Sequence, residues 1–188
     1  MRKELGAKPF TYPQPVLMIG TYDESGNPDL MNAAWGGISD DTEISICLSS
    51  NHKTVENFLK TKALTVSMAT KNTVKECDYL GIVSGNKVNN KIDVVGFHYS
   101  KAPHVNAPIF DELPLTLECE LISYDSESCR MVAKIVNVLA DESIIGENGK
   151  VDPKKLEPIC FDPFNNTYLT LGEKAGDAFK SGTEFIKK

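Results

Sequence analysis

Leu115-Thr-Leu-Glu-Cys-Glu-Leu-Ile122, then Tyr124-Asp-Ser-Glu-Ser128, then the run from Arg130 to Leu139, decides the class of fold. The first stretch alternates apolar and polar residues with the period of two that belongs to a strand burying one face. The polar pentapeptide has turn composition, and the run after it is rich in β-branched residues, so the segment predicts an antiparallel hairpin. Outward from it, Val16-Leu-Met-Ile-Gly-Thr-Tyr22 reads as a largely buried strand, and Asp23-Glu-Ser-Gly-Asn-Pro28 turns the chain after it. Ile44, Ile46 and Leu48 alternate with Ser45 and Cys47, Leu64 to Met68 gives another strand, and Tyr168 to Leu171 a late one.

Helical spacing is brief. Val55, Phe58 and Leu59 predict a short amphipathic helix from Thr54, with Asn51 or Thr54 to accept hydrogen bonds from its first amides. A second helix is expected from Thr73 to about Leu80, opened by Asn72 or Thr73 and closed by Gly81. Lys154 to Pro158 reads as a linker or one helical turn, Gly85 to Ser100 as a polar loop. The stretch from Gly172 to Lys188 reads as a C-terminal helix with Ala175, Ala178, Phe179 and Ile186 toward the body. Strands outnumber helices and no regular βαβ alternation occurs. The expected fold is therefore mainly β, an antiparallel barrel with short peripheral helices, in one domain spanning residues 1–188.

Composition narrows the function. The 188 residues carry a formal net charge of -6 without any Lys/Arg-rich run, which argues against a nucleic-acid partner. No apolar run is long enough for a bilayer, and the residues before Pro13 lack a signal-type apolar core, so the reading is cytoplasmic, with no membrane partner. No GxGxxG follows the first strand, and no GxSxG occurs. Gly81-Ile-Val-Ser-Gly85-Asn-Lys87 has three residues between its glycines, and Val88 stands where a phosphate loop needs Ser or Thr. The five cysteines include no CxxC pair, and Cys119, in phase with Leu115, Leu117 and Leu121, reads as a small core hydrophobe. His98 and His104 have no acidic neighbours at metal-ligand spacing.

Two segments carry candidate chemistry. Met31-Asn-Ala-Ala-Trp-Gly-Gly-Ile38 combines small residues with the only tryptophan. Ala33 and Ala34 would let a flat ligand approach the backbone, Asn32 would add a side-chain hydrogen bond, and Trp35 would cover an apolar face. The structural alternative is that Trp35 anchors the core and the glycines mark a bulge. Ser49-Ser-Asn-His-Lys-Thr54 lies at a strand end running into a helix start. Hydroxyls of Ser49, Ser50 and Thr54, the Lys53 ammonium, the His52 imidazole and free helix amides together suit a phosphate monoester. An ordinary capped helix would use the same residue types. Lys87 and Lys91 read as solvated loop lysines or as ligands.

In order and spacing, these segments resemble the flavin reductase-like family with its FMN-binding split β-barrel, and most closely the flavoredoxin branch. The carriers are Pro15-Val16 with Gly20-Thr21, Asn32-Ala-Ala-Trp35, Ile38-Ser39, Ser49-x-x-His-Lys-Thr54, Asp78-Tyr-x-Gly-x-x-Ser-Gly85, Val138-x-Ala-Asp-Glu142, and Tyr168 with Leu171-Gly-Glu-Lys174. The resemblance implies a homodimer with FMN near the interface, its ring against Asn32 to Trp35 and its phosphate near Ser49 to Thr54. It identifies Lys91 with the basic residue that approaches the flavin in this family. It also implies electron transfer between NAD(P)H or a redox partner protein and free flavin or another acceptor. The alternative is an FMN-binding electron carrier without nicotinamide activity of its own, and no side chain is nominated as catalytic. Many relatives carry a histidine in the strand equivalent to Ile135 to Leu139, where this chain has Asn137. Split barrels that serve pyridoxal phosphate or haem place arginines about their ligand, whereas only Arg2 and Arg130 occur here.

Overall fold

The structure is a computed structural model and describes residues 1–186. Twelve strands run in chain order: β1 (Gln14–Pro15), β2 (Leu17–Tyr22), β3 (Pro28–Ala33), β4 (Gly36–Asp40), β5 (Glu43–Cys47), β6 (Ala63–Met68), β7 (Tyr99–Lys101), β8 (Pro108–Phe110), β9 (Leu115–Asp125), β10 (Arg130–Ala140), β11 (Ile159–Asp162) and β12 (Thr167–Thr170). The helices are α1 (Lys53–Thr61), α2 (Val74–Ile82), α3 (Lys91–Val95) and α4 (Pro153–Leu156).

Seven strands form one sheet in the order β3-β2-β6-β9-β10-β5-β4, every pair antiparallel. Its two edge strands, β3 and β4, are consecutive in sequence and separated only by Ala34 and Trp35. A chain that short obliges the sheet to curl until its edges meet. Among the described residues no ladder joins β3 to β4, so the barrel is split at that seam. The hairpin expected from residues 115–139 is its longest ladder, β9 with β10, with bulges near Val132 and Ile135 that tighten the twist.

Side-chain alternation feeds two cores. Leu17, Ile19, Ile44, Ile46, Leu64 and Met131 point into the barrel, and Phe58 and Val55 of α1 plug its end. Val16 and Met18, the alternate residues of the first strand segment, meet Leu30, Leu80, Ile92 and Phe110 on the outer face. Burial on both faces explains why residues 16–22 show no polar alternation. A side chain such as Phe58, fully buried, contributes about 1.5–3 kcal/mol in removed apolar surface.

Three expectations are corrected. The segment 85–100 is not all loop: it contains α3, and Tyr99 opens β7. The segment from Gly172 does not form the expected helix within the described residues. It runs irregularly to a single short turn of helix at Thr183–Phe185, with Phe179 and Ile186 exposed, and Lys187 and Lys188 lie outside the described residues. Its glycines at 172, 176 and 182 lower helix propensity throughout. Helix α2 continues past Gly81 to Ile82 and ends at Val83, because Gly81 serves close packing rather than a cap.

Candidate functional site

The segment at the barrel seam and the end of β5 are joined by the backbone: the Cys47 N–H donates to the Trp35 carbonyl at 2.8 Å, and Gly36 pairs with Ile46. A β-carbon on Gly36 would stand 2.8 Å from the Ser45 carbonyl oxygen, so this close approach requires glycine. After Leu48 the chain passes through exposed Ser49 and Ser50 into α1.

Helix α1 begins at Lys53 with His52 as its N-cap, and no side chain among the described residues caps it. Neither Asn51 nor Thr54 fills the capping role. Thr54 lies inside the helix, fully buried, and its hydroxyl donates to Asp29 Oδ2 at 2.5 Å. The Lys53 and Thr54 amides and the positive end of α1 therefore remain open among the described residues, while the Val55 N–H already donates to the His52 carbonyl. His52 Nδ1 is buried and has no hydrogen-bond partner among the described residues. Burial, then the nearby Lys91 ammonium, hold the His52 imidazole below its usual pKa, with Asp29 opposing, so the ring is neutral at pH 7.

Asp29 was not singled out from sequence, because it reads as the tail of a turn. In the fold it is the hub: its Oδ1 pairs with Lys91 Nζ at 2.9 Å while its Oδ2 accepts the hydrogen bond of the Thr54 hydroxyl. Both charged groups are more than nine-tenths buried. Lys91 is thus neither a solvated loop lysine nor a free cation. A β-carbon on Gly85 would lie 2.6 Å from Asp29 Oδ1, so glycine lets the 84–85 backbone cross directly over the pair. Around it opens a cleft of about 360 Å³ lined by His52, Lys53, Thr54, Gly81, Gly85 and Lys87. Lys53 is partly exposed, 3.6 Å from the Glu56 carboxylate.

Asn32 turns its amide toward α2, donating to the Cys77 carbonyl at 3.1 Å. Gly81 packs directly on that amide, and a β-carbon there would sit 2.3 Å from it. Gly81→Ala is expected to displace Asn32 and cost about 1–3 kcal/mol in urea unfolding; an unchanged midpoint would show that the amide swings aside freely. Ala33 and Ala34 are half-buried, and Trp35 is 57% exposed, which removes the reading of Trp35 as a core anchor. Trp35, Ala34 and Gly36 instead line a second, apolar cleft of about 400 Å³ with Phe10, Pro13 and Pro15. Tyr168 donates to Asp78 at 2.7 Å and ties β12 to α2; burial and that bond push its phenol up to about 12.

The split barrel so described is the fold of flavin reductase-like proteins. Residues 10–153 match the flavin reductase like domain, and the chain belongs to that family. The fold is similar to that of flavoredoxin of Desulfovibrio vulgaris (Miyazaki F), with a TM-score of 0.92, 33% identity, and coverage of 97% of this chain and 100% of that one. Flavoredoxin from Methanosarcina acetivorans gives a TM-score of 0.87 with 27% identity over 98% of this chain and 99% of that one. Nitrilotriacetate monooxygenase component B from Bacillus cereus shares the fold alone, with a TM-score of 0.76 and 16% identity over 94% of this chain and 100% of that one. No helix among the described residues is long and apolar enough to cross a membrane.

Proposed function

We propose that this chain is an FMN-binding flavoprotein that passes electrons between NAD(P)H or a redox partner and free flavin or another acceptor. The observation that carries the reading is the start of α1: an uncapped helix end facing a cleft with Lys53 and Lys87, with the orphaned Nδ1 of His52 buried beside it. Those groups fit a phosphate monoester, since open amides supply donors and the lysines supply charge. FMN, when bound, supplies the electron-transfer chemistry. The protein's residues bind and orient. Ser49, Ser50, His52 and Lys53 hold the phosphate end, and the 33–35 backbone lies along the ring. Exposed Trp35 shields the ring from water. Thr54 and Lys91 act through Asp29 rather than as free ligands.

A homodimer is part of this proposal. Strand β4 is an unpaired edge with Ile38 exposed beside Trp35, and a second copy covering that edge would bury both.

The test is an absorbance spectrum of the purified protein followed by FMN titration. Colourless protein that leaves FMN fluorescence unquenched would end the proposal. Nicotinamide oxidation in air by loaded protein supports the reductase; an intact, chemically reducible flavin without it supports a carrier. Lys53→Ala is expected to weaken FMN binding by about 1–3 kcal/mol with no change in the unfolding midpoint. Equal affinity in the variant would move the phosphate elsewhere.

A further inference from the structure

Of the five cysteines, Cys77, Cys119 and Cys160 are buried; of the two that reach solvent, Cys47 ends β5 and Cys129 is the turn residue immediately before Arg130, the ladder partner of Cys47. Cys47 stands directly opposite Arg130, and the Leu48 N–H donates to the Cys129 carbonyl at 2.7 Å. Cys47 Sγ lies 3.7 Å from the Ser128 carbonyl oxygen, which belongs to the peptide group whose nitrogen is that of Cys129. A residue one step along from the directly opposite position, about 4.5–5.5 Å across and about 3.3 Å along the strand, lies roughly 6 Å away by Cα, within the range of about 4.4–6.8 Å that a disulfide spans. Cys129 closes the 126–129 turn with φ 57°, in the left-handed region, so its side chain is released from the up-and-down alternation that would hold it on the face opposite Cys47. Cys129 Sγ lies 3.8 Å from the Ser126 carbonyl oxygen, so both thiols contact carbonyls of the same turn, at Ser126 and Ser128.

We infer that Cys47 and Cys129 form a reversible disulfide by exchange with a low-molecular-mass disulfide, a redox-sensitive modification site beside the Trp35 segment. The Cys47 thiolate attacks one sulfur of the small disulfide, forming a mixed disulfide and expelling one thiolate. The Cys129 thiolate then attacks the Cys47 sulfur, forming the intramolecular bond and expelling the second thiolate. The protein loses two electrons and two protons, and the small disulfide gains both. The guanidinium of Arg130 favours an anionic exchange partner at this spot. The bond would fasten the tip of the β9–β10 hairpin to the end of β5, just before Ser49 and Ser50. The inference does not depend on FMN.

The full chain is incubated with oxidised glutathione, alkylated, and read by intact mass and peptide mapping. The expected result is loss of two thiols of five, a linked Cys47–Cys129 peptide, no retained glutathione, and full reversal by dithiothreitol. In Cys47→Ser or Cys129→Ser the remaining partner cannot resolve the adduct, so about one glutathione per chain should be retained where the parent keeps none. Trp35, the single tryptophan, accepts the Cys47 N–H and reports bond formation by its emission. Two stable glutathione adducts on the parent chain, a disulfide between copies, or five thiols still free would each overturn the inference. Native-like emission of both serine variants before oxidation separates a failed exchange from a failed fold.

Discussion

Asp29→Ala should cost the folded protein about 3–5 kcal/mol, because it leaves the Lys91 ammonium buried without its counter-charge. The pair is 2.9 Å apart and excluded from solvent, so water cannot take over the role of the lost carboxylate. The same change strands the Thr54 hydroxyl, whose proton is held by Asp29 Oδ2. Lys91→Met alone should be damaging for the mirror-image reason, an unpaired buried carboxylate. The double variant Asp29→Asn with Lys91→Met should recover most of the loss, since replacing both members of a buried pair is far cheaper than breaking it. Urea unfolding of the parent, Asp29→Asn, Lys91→Met and the double variant closes the cycle. Single-variant losses below about 1 kcal/mol would show that the pair is hydrated and would remove Asp29 as the hub of the cleft. The consequence for function is geometric: Asp29 fixes Thr54 of α1, Lys91 of α3 and its own strand β3 to one another, so the open end of α1 is held still against the cleft.

The sheet was legible in the sequence because its longest ladder is local. The stretch 115–139 carries period two, turn residues and β-branched content in one run, and none of these signals needs a distant partner. The segment proposed to hold phosphate is equally local, since residues 49–54 sit together at one strand-to-helix junction. Asp29 was not legible, because its meaning depends on Lys91, 62 positions away in sequence and on a helix of five residues whose pattern is too short to read. The role of Gly81 was misread for the same reason: as a helix-ending signal it is ordinary, and only the Asn32 amide packed on it, from β3, reveals why a side chain is excluded. The irregular tail from Gly172 shows the opposite error, where Ala175, Ala178, Phe179 and Ile186 offered apolar residues but interspersed glycines and the lack of a packed face left no helix to form.

Glu118→Ala should lower stability by about 3–4 kcal/mol, the second large effect, since it removes an acceptor that is completely buried and triply engaged. The Glu118 carboxylate accepts from the Asn137 amide at 2.6 Å, from the His104 N–H at 2.8 Å, and lies 2.8 Å from His104 Nδ1. Burial pushes its pKa up, but the bonds from Asn137 and from the His104 backbone and ring outweigh it, and the net direction is down. A carboxylate depressed in the folded state adds stability above its unfolded value of about 4.3, and loses it as pH falls through the folded value. The parent should therefore lose stability on acidification below that range more steeply than Glu118→Gln, whose amide does not titrate. Parallel pH profiles for the two would mean that other carboxylates carry the acid response. The same bond defines the role of Asn137, whose amide is committed to Glu118 of β9. At position 137 strand β10 thus presents an amide bonded to Glu118 rather than a titratable side chain.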